Sequence, residues 1–172
     1  MIFEKAEKSD FKKIKNFYWL LIDEMKEQSH MIGWKKGIYP SDEYIAESLD
    51  LGEMFVLKNE EICACVILNS CFNEEYNGVK WSVRCKESDV LIPHALAVKP
   101  SVQGRGIGRK LMKNIIAFAA EEGKKALRLD ILGTNYMAEG LYRSMGFKFV
   151  EAKNMFYEDT GWTEYKMFEL NL

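Results

Sequence analysis

Between Leu91 and Gly108 the chain reads L-I-P-H-A-L-A-V-K-P-S-V-Q-G-R-G-I-G. Its first part, Leu91 to Val98, is an apolar run rich in branched and small residues, the pattern of a buried strand. Its second part, Gln103-Gly104-Arg105-Gly106-Ile107-Gly108, is a glycine-rich turn that opens into a helical pattern. A strand, a glycine turn and a helix N-terminus together make an anion site. The first helical N–H groups lack intrahelical partners, and the helix dipole favours negative charge there. Glycines let phosphates approach the backbone closely. Arg105, Arg109 and Lys110 add full positive charges at the same place.

The common phosphate motifs do not fit. A P-loop requires Gly-Lys-Ser/Thr at the helix start, and here Gly108 is followed by Arg109 and Lys110. A dinucleotide fingerprint needs a third glycine where Arg109 stands. Other polar residues nearby could move protons. His94 lies in the apolar run, two residues before Leu96, so strict alternation puts the two on one face. An unperturbed imidazole titrates at about 6.5, suited to relaying protons near neutrality. Asp130 sits in a second apolar run, where a salt bridge or loop cap is the favoured expectation. The four cysteines, Cys63, Cys65, Cys71 and Cys85, form no C-x-x-C pair, and only His30 and His94 could join them around a metal. Buried reduced thiols, and no metal, are expected.

The elements that position these residues follow from periodicity. The 172 residues suit one domain, 1–172, with 48% hydrophobic and 29% charged residues and a net charge of -2. That balance makes nucleic acid an unexpected partner. No apolar run is long enough to span a bilayer, and the N-terminus does not read as a signal peptide, so a cytoplasmic location is the default expectation. A short strand is predicted at the start, then a helix capped by Ser9 or Asp10 with apolar positions from Phe11 to Met25. Residues 28–40 break the pattern and carry Trp34 and Tyr39. Ser41 reads as the N-cap of a helix that includes Tyr44 and runs to about Leu49. Residues 53–58 and 62–69 read as a hairpin. Residues 70–88 are ambiguous, with a short strand or an insertion around 79–83 and Asn77-Gly78 as a turn signal. After the strand at 90–98 come a helix from about Gly106 to Glu122, a strand at 126–132, a helix at 135–145, and closing strands at 147–150 and 163–170. The strand–helix–strand unit implies two parallel neighbours.

Two segments resemble a known family. Gln103, Gly106 and Gly108 match Q/R-x-x-G-x-G/A, the pyrophosphate signature of the GNAT superfamily of acyl-CoA-dependent N-acetyltransferases. Residues 135–147, N-Y-M-A-E-G-L-Y-R-S-M-G-F, resemble its N-x-x-A-x-x-L-Y-x-x-x-G-F segment through Asn135, Ala138, Leu141, Tyr142, Gly146 and Phe147. The resemblance is firm from about residue 90 to 150. It implies an α/β fold with a mixed, mostly antiparallel sheet, splayed between its fourth and fifth strands and flanked by helices.

What the resemblance implies about chemistry is transfer of acetyl from acetyl-CoA to a primary amine, directly and without a metal. The pantetheine arm would pair with Leu96, Ala97 and Val98. The pyrophosphate would sit on Gln103, Gly104, Arg105, Gly106, Ile107 and Gly108, with Arg109 and Lys110 close by. Tyr142 would protonate the departing thiolate, and Asn135 would hydrogen-bond the pantetheine arm or the acceptor while also capping a helix. For the base, His94, Asp130 and a water chain all remain open. The acceptor is a small molecule or a peptide; Trp34, Tyr39 and Tyr44 come from the segment that overhangs its side, where they either hold an amine-bearing group or pack the loop, and Trp81 and Trp162 share that ambiguity. A homodimer is compatible with the fold. A catalytically idle acyl-CoA-binding module is the alternative reading, and a nucleotide-binding protein with Asp130 on a ribose is a third.

Overall fold

The computed structural model describes residues 1–28 and 32–172; residues 29–31, with His30 and part of the pattern-breaking stretch 28–40, lie outside the described residues. The elements run β1 (Ile2–Lys5), α1 (Phe11–Glu24), α2 (Asp42–Asp50), β2 (Met54–Lys58), β3 (Ile62–Asn69), β4 (Val90–Val98), α3 (Ile107–Glu121), β5 (Ala126–Leu132), α4 (Tyr136–Ser144), β6 (Lys148–Tyr157) and β7 (Gly161–Asn171). The seven strands form one sheet in the order β1-β2-β3-β4-β5-β7-β6. Every neighbouring pair is antiparallel except β4 and β5. This is the mixed α/β sheet expected from the sequence.

Period-two alternation assigns the two faces. Phe55, Leu57, Ala64 and Val66 pack against Leu111, Met112, Ile115 and Ala119 of α3. Met54, Val56, Cys65 and Ile67 turn the other way and pack against Ile14, Tyr18 and Leu21 of α1 and Ile45 and Leu49 of α2. Ser41 caps α2 as expected, its Oγ accepting from the Tyr44 N–H at 3.1 Å. Asp10, not Ser9, stands at the start of α1.

Residues 70–89 are irregular apart from 3-10 turns at Glu74–Tyr76 and Glu87–Asp89, with no strand at 79–83. They lie over the β5–β7–β6 end of the sheet, where Tyr76 packs with Val90, Ile92, Met155 and Met167. Arg128 and Glu169 anchor this segment. Glu169 accepts from Arg128 Nε at 2.9 Å, from the Ser82 N–H at 2.8 Å, from the Val83 N–H at 3.1 Å and from the Ser82 hydroxyl. The Arg128 guanidinium also donates to the Val83 carbonyl at 2.8 Å and lies 4.5 Å from the Trp81 ring centroid. Trp81 is thereby accounted for by packing on the anchor.

The closing strands are longer than expected, ten and eleven residues. β6 is the outer strand of the sheet. Its polar Lys153 and Asn154 are compatible with a half-exposed strand and conceal it from a hydrophobicity-based reading. Trp162, on this hairpin, is 70% exposed.

Candidate active site

β4 and β5 pair only at Val90–Ala126 and Leu91–Leu127. Beyond Leu91 the two strands part, while β4 stays paired with β3 as far as Val98. The β5-facing side of β4 from Ile92 to Val98 therefore has no ladder partner among the described strands. A bulge bends β4 at the parting. Ile67 faces His94 and Cys65 faces Ala97, so β4 carries one extra residue, and Ala95 adopts a φ of 49°. The Tyr18 hydroxyl donates to the Ala95 carbonyl at 2.8 Å, tying the bulge to α1.

The bulge corrects one expectation. His94 and Leu96 do not share a face by simple alternation. His94 lies in register with Ile67, on the α1 side, whereas Leu96 packs toward the α3 side. Both nevertheless line one cavity.

Two cavities open where the strands part. The first, of about 310 Å³, lies under the glycine loop and is lined by Leu96, Ala97, Val98, Gln103, Gly106 and Arg109 among others. The second, of about 380 Å³, is lined by His94, Asp130, Tyr142, Trp34, Tyr39 and Tyr44 among others. Trp34, Leu96, Asn135, Ala138 and Leu141 border both, so the two spaces meet along the parted strands.

The glycine loop has the form expected of an anion cradle. Gly106 is the N-cap of α3 at φ 78°, and the first intrahelical acceptor, its carbonyl, takes the Lys110 N–H. The N–H groups of Ile107, Gly108 and Arg109 therefore have no intrahelical acceptor. A Cβ at Gly104 or Gly106 would meet nothing within 4 Å, but at Gly108 it would come within 3.2 Å of Leu141 Cδ2. Gln103 is part of the scaffold here: its amide donates to the Val98 carbonyl at 3.0 Å, clamping the loop to the end of β4. The Arg109 guanidinium donates to Ser144 Oγ at 2.9 Å, joining α3 to α4. Arg105 and Lys110 are exposed and border neither cavity.

In the second cavity Tyr142 is buried, with its ring 5.5 Å from that of Phe147. Burial, and then the negative charge of Asp130, push its hydroxyl well above the ordinary phenol range, so it holds its proton at any physiological pH. Among the described residues, no other group hydrogen-bonds that hydroxyl. Asn135 caps α4, its Oδ1 accepting from the Ala138 N–H at 3.0 Å.

His94 is neutral rather than poised near 6.5. Burial pulls its pKa down to about 4, against the opposing effect of a hydrogen bond to the Cys71 backbone. Its Nε2 is buried and has no hydrogen-bond partner. Asp130 is not in the expected salt bridge. Its carboxylate accepts from the hydroxyls of Tyr76 at 2.5 Å and Tyr157 at 3.2 Å. Burial raises its pKa above the carboxylate norm, and the two tyrosine hydroxyls only partly offset that. Trp34, Tyr39 and Tyr44 form a continuous aromatic wall, with successive centroids 5.6 and 5.9 Å apart.

Further lining residues carried no local sequence signal. Tyr76 and Asn73 come from the 70–89 segment, Tyr157 and Tyr165 from the closing hairpin, and Asp159 from its turn. Gly33 meets that same turn: at φ 69°, a Cβ there would stand 2.4 Å from Thr160 Cγ2. Among the described residues no group of three or more His, Cys, Asp or Glu could hold a metal ion, and no helix is long and apolar enough to cross a membrane.

Comparison with known proteins agrees with this geometry. The acetyltransferase (GNAT) domain family matches residues 50–149, and the chain belongs to that family. The N-alpha-acetyltransferase RimI of Mycobacterium tuberculosis is 36% identical over 74 residues, 43% of this chain and 45% of RimI. An uncharacterized Mycobacterium leprae protein is also 36% identical over 74 residues, 43% of this chain and 20% of that protein. The chain thus spans less than half the length of these two curated relatives. The fold is that of the Salmonella typhimurium protein yncA, solved with its cofactor acetyl-CoA, at a TM-score of 0.73 and 18% identity, covering 100% of this chain and 94% of that one.

Proposed function

We propose that this member of the acetyltransferase family transfers acetyl from acetyl-CoA to a primary amine, directly between two bound substrates. The observation that carries the reading is the meeting of the two cavities where β4 and β5 part, with an anion cradle at one end and proton-handling groups at the other. Acyl transfer from a thioester needs the reactants held together and protons moved, with no protein nucleophile. Acetyl-CoA, when bound, supplies the thioester.

The chain's residues then have separable tasks. The free N–H groups at the start of α3 hold the pyrophosphate, and the unpaired side of Leu96, Ala97 and Val98 takes the pantetheine amides as an added strand. The C–S bond breaks as the C–N bond forms; the nitrogen gives up a proton and the sulfur gains one. Tyr142 donates the proton to the sulfur. Asp130, made more basic by burial, receives the nitrogen's proton directly or through water. His94 offers the lone pair of its Nε2 to the amine as a hydrogen-bond acceptor. Its low pKa makes it a weaker base than the sequence implied.

Free-thiol release from acetyl-CoA against a broad amine panel tests the reading. Amine-dependent release with a matching acetylated product is the expected result. Tight acetyl-CoA binding with no product from any amine would reduce the chain to an acyl-CoA-binding module.

A further inference from the structure

The second cavity carries a charge pattern that acetyl transfer alone does not require. Asp130 and Asp159 both line it, and no lysine or arginine does. Asp159 is 6% exposed in the turn between β6 and β7, and makes no ion pair with any cation among the described residues. Burying a carboxylate without a counter-charge is costly. Hydrogen bonds from its own N–H and that of Thr160 offset part of the cost, and Lys35 contributes only a weaker field. A second observation also points to a ligand. The buried His94 Nε2 is a lone-pair acceptor with no donor, on the same cavity. Much of the remaining wall is aromatic, through Trp34, Tyr39, Tyr44, Tyr76, Tyr157 and Tyr165, beside aliphatic residues such as Leu129 and Ile131. Aromatic faces favour cations and tolerate methylene chains.

We propose that this cavity selects a compact diamine, seating one ammonium at Asp159 while the other nitrogen is acetylated beside Asp130 and His94. The inference rests on the acetyl-transfer reading above and adds the substrate class. A volume of about 380 Å³ suits a small molecule. An amine that carries its own carboxylate is disfavoured, because no cation lines the cavity to receive that group and two carboxylates repel it. The two ends of the site therefore have opposite polarity: free N–H groups for phosphates under the glycine loop, and carboxylates for ammonium groups at the acceptor end.

The test compares diaminobutane, butylamine and aminobutyric acid as acceptors in the thiol-release assay, on the wild type and on Asp159→Asn. The asparagine retains an oxygen for the turn N–H groups. Wild-type kcat/KM should favour diaminobutane over butylamine by at least about 10-fold, the ratio that roughly 1.4 kcal/mol represents, with aminobutyric acid poorest. In Asp159→Asn the preference should collapse to within about threefold, well under that factor. Equal use of butylamine by the wild type would overturn the proposal without involving the variant. So would an undiminished preference in folded Asp159→Asn. If no amine is turned over, calorimetry of diaminobutane against the protein saturated with coenzyme A decides separately. Binding that weakens in Asp159→Asn keeps the cavity assignment while the transfer reading falls; no binding to the wild type overturns the assignment.

Discussion

The buried pair Arg128–Glu169 should govern both stability and the shape of the second cavity. Their side chains are 7% and 1% exposed, and Arg128 Nε sits 2.9 Å from Glu169 Oε1. Removing one partner of a buried pair typically costs about 3–5 kcal/mol, because the other charge is left uncompensated. In Glu169→Gln the guanidinium keeps the Val83 carbonyl and the Trp81 ring, and the amide oxygen can still accept from Ser82 and Val83. The cost should therefore lie near 3 kcal/mol, the lower end of that range. For a chain of this length each kcal/mol moves Tm by roughly 2–4 °C, so a fall of about 6–12 °C is expected. The pair also pins residues 81–83, and with them the segment that carries Asn73 and Tyr76 into the cavity. The amine KM should rise in Glu169→Gln while coenzyme A affinity holds, since the glycine loop lies on the other cavity. Thermal unfolding by circular dichroism gives the first quantity, and steady-state kinetics with calorimetry gives the second. A Tm within about 2 °C of wild type, about one kcal/mol or less on that scale, would show that the pair anchors nothing.

Three further outcomes follow from the site. Tyr142→Phe should lower the single-turnover rate by about 10²–10³, toward the lower part of the general-acid range because a thiolate leaves partly unaided, with Tm unchanged since the hydroxyl bonds to no other described group; a rate within about twofold would return the proton to water. His94 titrates at about 4 in the native state and about 6.5 unfolded. The unfolded chain thus binds the extra proton first as pH falls, so the native state should lose about 3 kcal/mol between pH 7 and 4 relative to His94→Gln; urea unfolding of both proteins at the two pH values checks the difference, and parallel curves would refute it. Gly108→Glu should abolish coenzyme A binding in a folded protein, whereas Gly108→Ala, whose Cβ meets side-chain ends of Leu141 at 3.2 Å and Val98 at 3.7 Å, should cost little; calorimetry on both variants decides, and unchanged affinity in the glutamate variant would remove the cradle assignment.

The parts legible in the sequence were those encoded locally. The glycine turn could be read because φ near 78° at Gly106 demands glycine and the helix follows at once. Ser41 and Asn135 could be read as caps because their partners lie three residues on. The bulge at Ala95 could not, because no glycine marks it: a Tyr18 hydroxyl 77 positions away in the chain holds its carbonyl. The same applies to Asp130, whose partners come from elements 54 and 27 residues away. Asp159 lies in the turn between β6 and β7 and carried no signal of its own in the sequence. Its approach to the cavity depends on hairpin length, which the polar alternation of β6 obscured.

The bulge also explains why so ordinary a sheet holds a site at all. An unbroken β4 would keep His94 and Leu96 on one face. The added residue instead lets His94 face the α1 side while Leu96 turns toward α3 and borders both cavities. His94 on one side of the strand and the two cavities along its free edge thus meet within a few residues. The cost of a non-glycine residue at positive φ, on the order of 1–3 kcal/mol, must be met by surrounding packing. The buried Tyr18 hydroxyl bond to Ala95 is the visible part of that support. It follows that α1, whose Leu21 lines the first cavity, also bears on the relation between the two cavities through this carbonyl. Tyr18→Phe should therefore relax the bulge and lower kcat more than it changes affinity for coenzyme A. Amide exchange across residues 94–97 would report the relaxation directly; protection equal to wild type would mean that the sheet itself holds the bulge.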